Sequence, residues 1–201
     1  MRYISIMTGH PSPLPASTGW LTGQLLVAMP SLHDPRFVQS VILICAHNEE
    51  GAMGLILNKP LYKPSYEELL KQLGIAPSPP QRSLPLGRGG PIEEHRGFVL
   101  HSADWATEGS LKINDTYTLS ANLDLLKALA EGNGPAQARL LLGYASWGNS
   151  QLEEEIRQNT WLITEPEEAL LFDRNDANKW QRALALLKID PGMLSGDAGH
   201  A

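Results

Sequence analysis

The sequence predicts a single α+β domain with a mixed β-sheet. Two apolar runs, Val41 to Ala46 and Ala52 to Leu57, are separated by the turn residues Asn48-Glu49-Glu50-Gly51 and predict a β-hairpin. Because the first run is continuously apolar, we expect both faces of that strand to be covered. Helical and strand signals are interspersed along the rest of the chain, but strands also cluster as hairpins, which favours parallel and antiparallel pairing in one sheet.

The first half of the chain supplies an arm, a strand, a turn and a helix. Three alternating prolines predict that residues 1–18 form a flexible N-terminal arm, and the domain then covers residues 19–201. Residues 24–29 predict a short buried strand. Asp34-Pro35 fits either a turn or the N-cap of one helical turn. Ser65 and Glu68 form a capping box that predicts a helix ending at Gly74.

The second half alternates short strands and helices. The proline- and glycine-rich residues 75–91 predict an internal loop, rather than a linker between domains, because the halves on either side have too few clear elements to stand alone. The remaining predicted strands are Leu84 to Gly87, Arg96 to Ser102, Tyr117 to Leu119, residues 138–145 and Trp161 to Thr164. Ser120 is predicted to cap a helix that ends near Glu131, and a capping box of Ser150 and Glu153 is predicted to open a helix that ends near Asn159. A last helix carries an apolar stripe of Trp180, Leu184 and Leu187.

Composition excludes several classes of function. The formal charge of −6 and the pI of about 5.5 weigh against direct binding to nucleic acid, which requires a basic face. The single cysteine, Cys45, excludes an internal disulfide framework and is consistent with the cytoplasm. The sequence shows neither a signal peptide nor an apolar run long enough to cross a membrane, so we expect no membrane association.

Four blocks of sequence resemble the YqgE/AlgH family of bacterial proteins. They are Gly23 to Pro60, Gly89-Gly90-Pro91-Ile92-Glu93 with Arg96 to His101, Leu142 to Trp147 with Gln151-Leu152-Glu153, and Asn159-Thr160-Trp161-Leu162. The resemblance covers about residues 20–194. It implies a branched, mixed sheet flanked by helices in a cytoplasmic protein, and some members are named as transcriptional regulators. It brings no substrate, cofactor or catalytic residue. This chain departs from the family pattern at Ser146 and Ser150, where glycine is usual.

Two loops invite a phosphate-binding or catalytic interpretation. Gly148 to Gln151 precede a helix, where backbone amides can bind an anion, although Ser150 could simply cap that helix. Ser146 lies between a strand and a helix, but a nucleophile elbow requires glycine where Tyr144 stands. The segment Gly87-Arg88-Gly89-Gly90-Pro91 lacks the ending of a P-loop and predicts a tight chain reversal before a strand.

The histidines and the cysteine give weak signals for metal or redox chemistry. Cys45 and His47 are two residues apart, so they should share a face of one strand as a reactive pair, as two metal ligands, or as a buried thiol beside a terminal histidine. His95 and His101 lie about 20 Å apart along one strand, too far to share an ion. We predict no metal and no cofactor.

Two arginines suggest a binding cleft. Arg36 and Arg96 could each clamp a carboxylate or phosphate, or each could form a structural ion pair. Arg36 precedes one strand of the hairpin and Asn58 ends the other, so both should lie at the same edge of the sheet. We predict that Arg36, Asn58, Arg96 and His101 border a cleft, with Gly148 and Gln151 nearby.

Three functional hypotheses follow. The favoured one is a binding or regulatory protein that recognises a small anion or a protein partner. The second is an enzyme of unrecognised mechanism that uses His47, His101 or Cys45, although no paired nucleophile and base motif supports it. The third is a transcriptional regulator that acts through DNA or indirectly, although the acidic balance and the lack of a helix-turn-helix pattern weigh against DNA contact. The sequence does not indicate an oligomeric state.

Overall fold

A nine-stranded sheet organises the chain, as seen in a computed structural model that describes residues 20–105 and 108–190. The predicted arm, residues 1–18, lies outside the described residues. The strands are β1 (Leu25–Ala28), β2 (Val41–Asn48), β3 (Gly51–Ile56), β4 (Leu86–Arg88), β5 (Ile92–Ser102), β6 (Leu111–Lys112), β7 (Tyr117–Ser120), β8 (Ala138–Gly148) and β9 (Trp161–Thr164). The helices are α1 (Tyr66–Gln72), α2 (Leu123–Ala130), α3 (Gln151–Arg157), α4 (Glu168–Phe172) and α5 (Lys179–Leu186).

The sheet is mixed and branched, so the α+β prediction is confirmed. The main order is β6-β7-β5-β8-β3-β2-β1-β9, and β4 lies off this path, parallel to β8. All other pairs between strands are antiparallel among the described residues. The predicted hairpin is β2 and β3 at the centre of the sheet.

The sheet forks where β3 and β8 diverge. β3 pairs with the C-terminal end of β8, from Gly51↔Gly148 to Gly54↔Ala145. β4 pairs with an earlier part of β8, from Leu86↔Leu140 to Arg88↔Leu142. On its other side β4 is tied to the segment that follows β3, because the Arg88 amide donates to the Lys59 carbonyl at 2.8 Å. β4 therefore wedges between the two diverging strands.

Both faces of the sheet are covered by helices. One face packs on α4 and α5 through a cluster that contains Phe98 and Trp180, and this cluster joins residues from both halves of the chain. The opposite face is divided: α1 and α2 cover the part near β4 and β5, and α3 covers the part near β1 to β3. Residues of both halves therefore share one hydrophobic core.

Several helix boundaries follow their sequence signals and two do not. Ser65 and Glu68 form the predicted reciprocal capping box of α1, and Gly74 follows it at φ +68°. The predicted cap Ser120 is instead the last residue of β7, and Asn122 caps α2 by accepting from the Asp124 amide. Ser150 has φ 56° and makes no side-chain cap bond, so the second predicted capping box is wrong.

Candidate functional site

A basic groove lies at the fork of the sheet. This cavity, which we call the fork groove, has a volume of about 290 Å³. Three cationic side chains line it from three separate segments: Arg36 before β2, Lys59 after β3 and Arg88 at the end of β4. Among the described residues, Glu94 is the one acidic member of its lining, and the remaining wall comprises Pro35, Ile56, Pro60, Gly90 and Pro91.

The turn at Asp34-Pro35 positions Arg36. The Asp34 carboxylate accepts from the Arg36 amide at 2.9 Å, which is a local cap, and from the Arg36 guanidinium, with Nη2 at 2.6 Å from Oδ2. These hydrogen bonds lower the pKa of Asp34. The Arg36 side chain is 63% exposed, so its guanidinium stays accessible while the pair limits its conformations. The Phe37 and Val38 amides also donate to the Asp34 carbonyl, at 2.9 and 2.8 Å, so of the two predicted alternatives Asp34 is the N-cap of one helical turn.

Lys59 reaches the groove as an anchored, half-buried ammonium. Its Nζ donates to the Val38 carbonyl at 2.8 Å, and burial lowers its pKa. An ammonium has three donors, and this carbonyl uses one of them. The remaining donors are available to an anion in the groove, and partial burial would strengthen such a bond.

Arg88 is carried to the groove by the glycine-rich segment. Among the described residues its exposed guanidinium has no hydrogen-bond or ion-pair partner. After Arg88 the chain crosses β8 in contact with its backbone, because a Cβ on Gly90 would lie 2.0 Å from the Tyr144 carbonyl carbon. β4 runs parallel to β8 and β5 antiparallel, so the predicted chain reversal occurs during this crossing.

A second cavity adjoins the first and shares Arg88 and Glu94 with it. This side groove also has a volume of about 290 Å³. Its shape comes from an irregularity in β5, where residues 93–96 are opposed by one residue of β8, Gly143, between the pairs Ile92↔Tyr144 and Gly97↔Leu142. The bulge carries His95 and Glu94 outward. The other lining residues are Leu61, Lys63, Pro64, Gln72 and Leu142.

The predicted site residues do not all meet at this place. Arg36 lines the fork groove, whereas Asn58 fastens the base of the hairpin beside it. The Asn58 side chain accepts from the Val41 amide at 2.9 Å and donates to the Gln39 carbonyl at 2.8 Å. Asn58 therefore fixes the loop that presents Arg36 and Lys59 and does not line either groove.

Arg96 and His101 also lie away from the grooves' linings. Arg96 sits on the β5 bulge, where it pairs with Glu93 at 2.9 Å and stacks over Phe98 with its guanidinium carbon 5.0 Å from the ring centroid. Both of these partners lie on β5, so they hold the Arg96 side chain at the bulge. His101 is fully buried, so it does not border a cleft.

The loop from Gly148 to Gln151 lies at the start of α3 at another part of the sheet. The backbone amide of Gly148 donates to the Gln151 side-chain oxygen at 3.0 Å. The side-chain nitrogen Nε2 of Gln151 donates to the Glu155 carboxylate at 2.9 Å. Glu155 in turn accepts from the indole nitrogens of Trp147 and Trp161, both at 2.8 Å. These contacts dock α3 against β8 and β9 and account for the two tryptophans.

Cys45 and His47 lie on opposite faces, which corrects the sequence expectation. A β-bulge between Ile44 and Ala46 inserts one residue into β2 and reverses the alternation beyond it. Cys45 is buried in the core beneath α4 and α5, and burial raises the pKa of its thiol far above the ordinary range. His47 pairs with Glu153 of α3 at 2.7 Å.

A chain of hydrogen bonds links His101 to two serines. Its Nδ1 lies 2.8 Å from the Ser102 carbonyl, which can only accept, so Nδ1 carries a proton. Its Nε2 lies 2.8 Å from the Ser120 hydroxyl, and that hydroxyl lies 2.6 Å from the Ser110 hydroxyl. Burial of the imidazole lowers its pKa, and the Ser102 carbonyl and Asp104 oppose this effect in part. The chain joins β5 to β7 beneath the surface.

The lowered pKa of His101 makes stability depend on pH. The unfolded chain takes up a proton near pH 6.5, whereas the folded imidazole does so only at lower pH. The unfolded state therefore binds more protons in between, and His101 contributes stability that is full above pH 6.5 and is lost as the pH falls through its folded pKa. We expect the melting temperature of His101→Gln to depend less on pH between pH 7 and 5 than that of the wild type. His95→Gln, at an exposed site, should keep the pH dependence of the wild type. Equal slopes in wild type and His101→Gln would contradict this assignment.

A buried ionic network lies under β8 and was not predicted. Arg139 and Lys179 have no exposed side-chain surface, and Asp176 is 10% exposed. Arg139 Nη2 contacts both oxygens of Asp176 at 2.7 and 2.8 Å, and its Nη1 donates to the Asp173 carbonyl at 3.0 Å. Burial alone would raise the pKa of Asp173, but hydrogen bonds from Lys179 and Arg182 outweigh it and leave the pKa below its ordinary value.

Sequence reasoning missed Lys59, Arg88 and Glu94. Arg88 lies inside a glycine cluster that matches no phosphate-loop pattern, and Glu94 lies on a bulge that no local pattern marks. The available signal was a cation flanked by glycines between two strands, since glycines permit close crossing of another backbone.

Among the described residues no group of three or more histidine, cysteine, aspartate or glutamate side chains could hold a metal ion.

The fold and the grooves together define a class: an α+β protein with a forked sheet and a basic surface groove. An AlgH-like family model matches residues 25–192, and the chain belongs to that family. UPF0301 proteins from Gluconobacter oxydans and Rhodospirillum rubrum are 50% identical over 183 residues and 44% identical over 191 residues. These alignments cover 90% and 95% of this chain, and 98% and 100% of the relatives.

Two solved structures share the fold. The solution structure of the AlgH protein from Pseudomonas aeruginosa matches with a TM-score of 0.74 at 36% identity, and the alignment covers 94% of this chain and all of that one. A crystal structure of the protein DIP2367 from Corynebacterium diphtheriae matches with a TM-score of 0.69 at 20% identity over 89% of this chain and 93% of that one. In the described part of the chain, every helix is too short or too polar to cross a membrane.

Proposed function

We propose that this protein is a cytoplasmic binding protein that holds a small anion, or the anionic group of a partner, in the fork groove. One observation carries the proposal: three cationic side chains from separate segments converge on one groove of a chain whose formal charge is −6. Two of them, Lys59 and Arg88, have no carboxylate partner among the described residues. The single cysteine, reduced and buried, supports the cytoplasmic location.

The side chains suit an anion for distinct reasons. Arg88 and Arg36 present planar guanidinium groups, which can donate two parallel hydrogen bonds to a carboxylate or phosphate. Lys59 adds a fixed point charge that is partly shielded from water. The neighbouring wall residues Pro35, Pro60 and Pro91 carry no charge that would compete for the anion.

The enzyme hypothesis has less support from the geometry. Cys45, His47 and His101 are all buried, and the raised pKa of Cys45 keeps its thiol protonated. A nucleophile or general base must reach a substrate, and these side chains do not open onto either groove. The two grooves give no argument for or against a regulatory role through DNA, which stays a hypothesis.

We expect Arg88→Ala to weaken binding of inorganic phosphate, measured by isothermal titration calorimetry, about tenfold or more. The estimate follows from the loss of one hydrogen bond to a charged group, about 1.5–3 kcal/mol. Arg88 is exposed and has no protein partner among the described residues, so the variant should fold as the wild type does. The matched control is Arg157→Ala, which removes another exposed arginine, on α3. Equal affinity in all three proteins, or no binding of phosphate, sulfate or citrate to the wild type, would overturn the proposal.

A further inference from the structure

We infer that the ligand of this site is a hydroxyl-bearing phosphate monoester of the sugar phosphate class, which spans the fork groove and the side groove. This inference rests on the proposed function and specifies its ligand. It follows from the position of Glu94, the shared use of Arg88 and the space beyond them. The two cavities meet at Arg88 and Glu94, so a ligand held at one cavity faces the other across these side chains.

Glu94 determines what can lie beside the anion. Its carboxylate is exposed on the β5 bulge and has no hydrogen-bond or ion-pair partner in the described part of the chain. An ionised carboxylate only accepts hydrogen bonds and repels a second anion. A ligand whose phosphate contacts Arg36, Lys59 and Arg88 must therefore present donors, such as hydroxyl groups, toward Glu94.

The side groove provides space for the rest of the ligand. Each groove has a volume of about 290 Å³, which alone is at the lower limit for a small-molecule site. The combined volume of the two grooves lies within the usual range. Apolar groups of Leu61, Pro64 and Leu142 form part of its wall, and Lys63, His95 and Gln72 add one charged and two polar groups. Inorganic phosphate alone would leave this half of the site without a contact.

The rigid backbone around Glu94 supports a built site. Gly143, opposite the bulge, has φ +72°, and a Cβ there would lie 2.5 Å from the Gly90 carbonyl oxygen and 3.2 Å from the Glu94 Cα. The crossing segment and the bulge are thus packed against the same point of β8. Arg88 and Glu94 are held in a fixed relation by backbone contacts, which favours recognition of one spacing between phosphate and hydroxyl.

The test compares four probes by calorimetry: inorganic phosphate, methyl phosphate, ribose 5-phosphate and ribose. We expect ribose 5-phosphate to bind about tenfold tighter than methyl phosphate, which has the same ester but no hydroxyl groups, and we expect no binding of ribose alone. In Glu94→Gln the affinity for ribose 5-phosphate should fall about tenfold. Its affinity for inorganic phosphate should stay equal or rise, because a repelling charge is removed.

Each outcome discriminates between the two proposals. Weaker binding of ribose 5-phosphate by Glu94→Gln with no loss of affinity for inorganic phosphate supports the inference, because a merely structural change would weaken the binding of both ligands. Equal affinity for methyl phosphate and ribose 5-phosphate in the wild type overturns the inference and leaves the anion-binding function standing. Failure of all phosphates to bind overturns both.

Discussion

Gly90→Ala is expected to lower the melting temperature by about 10 °C or more, or to prevent folding. A Cβ on residue 90 would lie 2.0 and 2.2 Å from the Tyr144 carbonyl carbon and oxygen and 2.4 Å from the Ala145 amide nitrogen. All three atoms belong to the backbone of β8, the strand that pairs with β3, β4 and β5. Strand displacement is costly, so we estimate a loss of about 4 kcal/mol or more, equivalent to roughly 8–16 °C in a chain of this size.

The matched control is Gly148→Ala on the same strand. Gly148 has an ordinary backbone conformation, and the nearest atom to an added Cβ is the Gln151 side-chain oxygen at 3.9 Å. We expect its melting temperature to stay near that of the wild type. Thermal unfolding followed by circular dichroism gives both values. A Gly90→Ala protein that melts within about 2 °C of the wild type would show that the crossing segment is not tightly packed, and the geometry of the fork groove would then also be wrong.

Local patterns predicted the elements whose stabilising contacts are local. The β2 and β3 hairpin carries its own apolar runs and its turn at Gly51, and α1 carries a capping box whose two partners are three residues apart. Trp161 to Thr164 was predicted with the bounds that the strand has. Such signals need only neighbouring residues, and a single sequence contains all of them.

Elements that depend on distant contacts were missed or misassigned. Ser120 has a cap-like sequence setting, but its hydroxyl bonds to His101 on the neighbouring strand, so tertiary contact overrides the local signal. Glu153, expected to complete a capping box with Ser150, instead pairs with His47, which is 106 residues away in the chain. The bulge in β2 likewise depends on pairing with β3, and it placed Cys45 and His47 on opposite faces.

The candidate site was predicted in part for the same reason. Arg36 and Asn58 were placed at one end of the hairpin by topology alone. Arg36 lines the fork groove, whereas Asn58 bonds to the Val41 amide and the Gln39 carbonyl in the segment that follows Arg36. Arg88 and Glu94 could not be placed there, because their positions depend on the crossing over β8 and on the bulge opposite Gly143. Arg96 and His101 were predicted to border the same cleft, but Arg96 contacts Glu93 and Phe98 on the β5 bulge, and His101 is fully buried.

Asp176→Ala is expected to reduce the free energy of unfolding by about 3–5 kcal/mol, measured by urea denaturation. Asp176 neutralises Arg139 at 2.7 Å, and the Arg139 side chain is fully buried. Removing the carboxylate would leave a buried guanidinium without its charge partner, and the cost of that is much larger than the net value of the pair. The matched control is Asp115→Ala, which breaks an aspartate pair of similar length, 2.6 Å, at a site where the aspartate side chain is 97% exposed. We expect the control to hardly change stability.

A double variant separates the pair from its surroundings. Arg139→Met with Asp176→Leu removes both charges and keeps similar volumes, so it should be more stable than Asp176→Ala alone. The two single substitutions, Arg139→Met and Asp176→Leu, complete a double-mutant cycle whose coupling energy should be well above the ~0.5 kcal/mol scatter of independent sites. The double variant also removes the Arg139 bond to the Asp173 carbonyl and the 3.7 Å contact between Asp176 and Lys179. The pairs of Asp173 with Lys179 and Arg182 stay in place. If the effects of the two single variants simply add, Arg139 and Asp176 act independently, and the network stabilises the fold by packing rather than by charge.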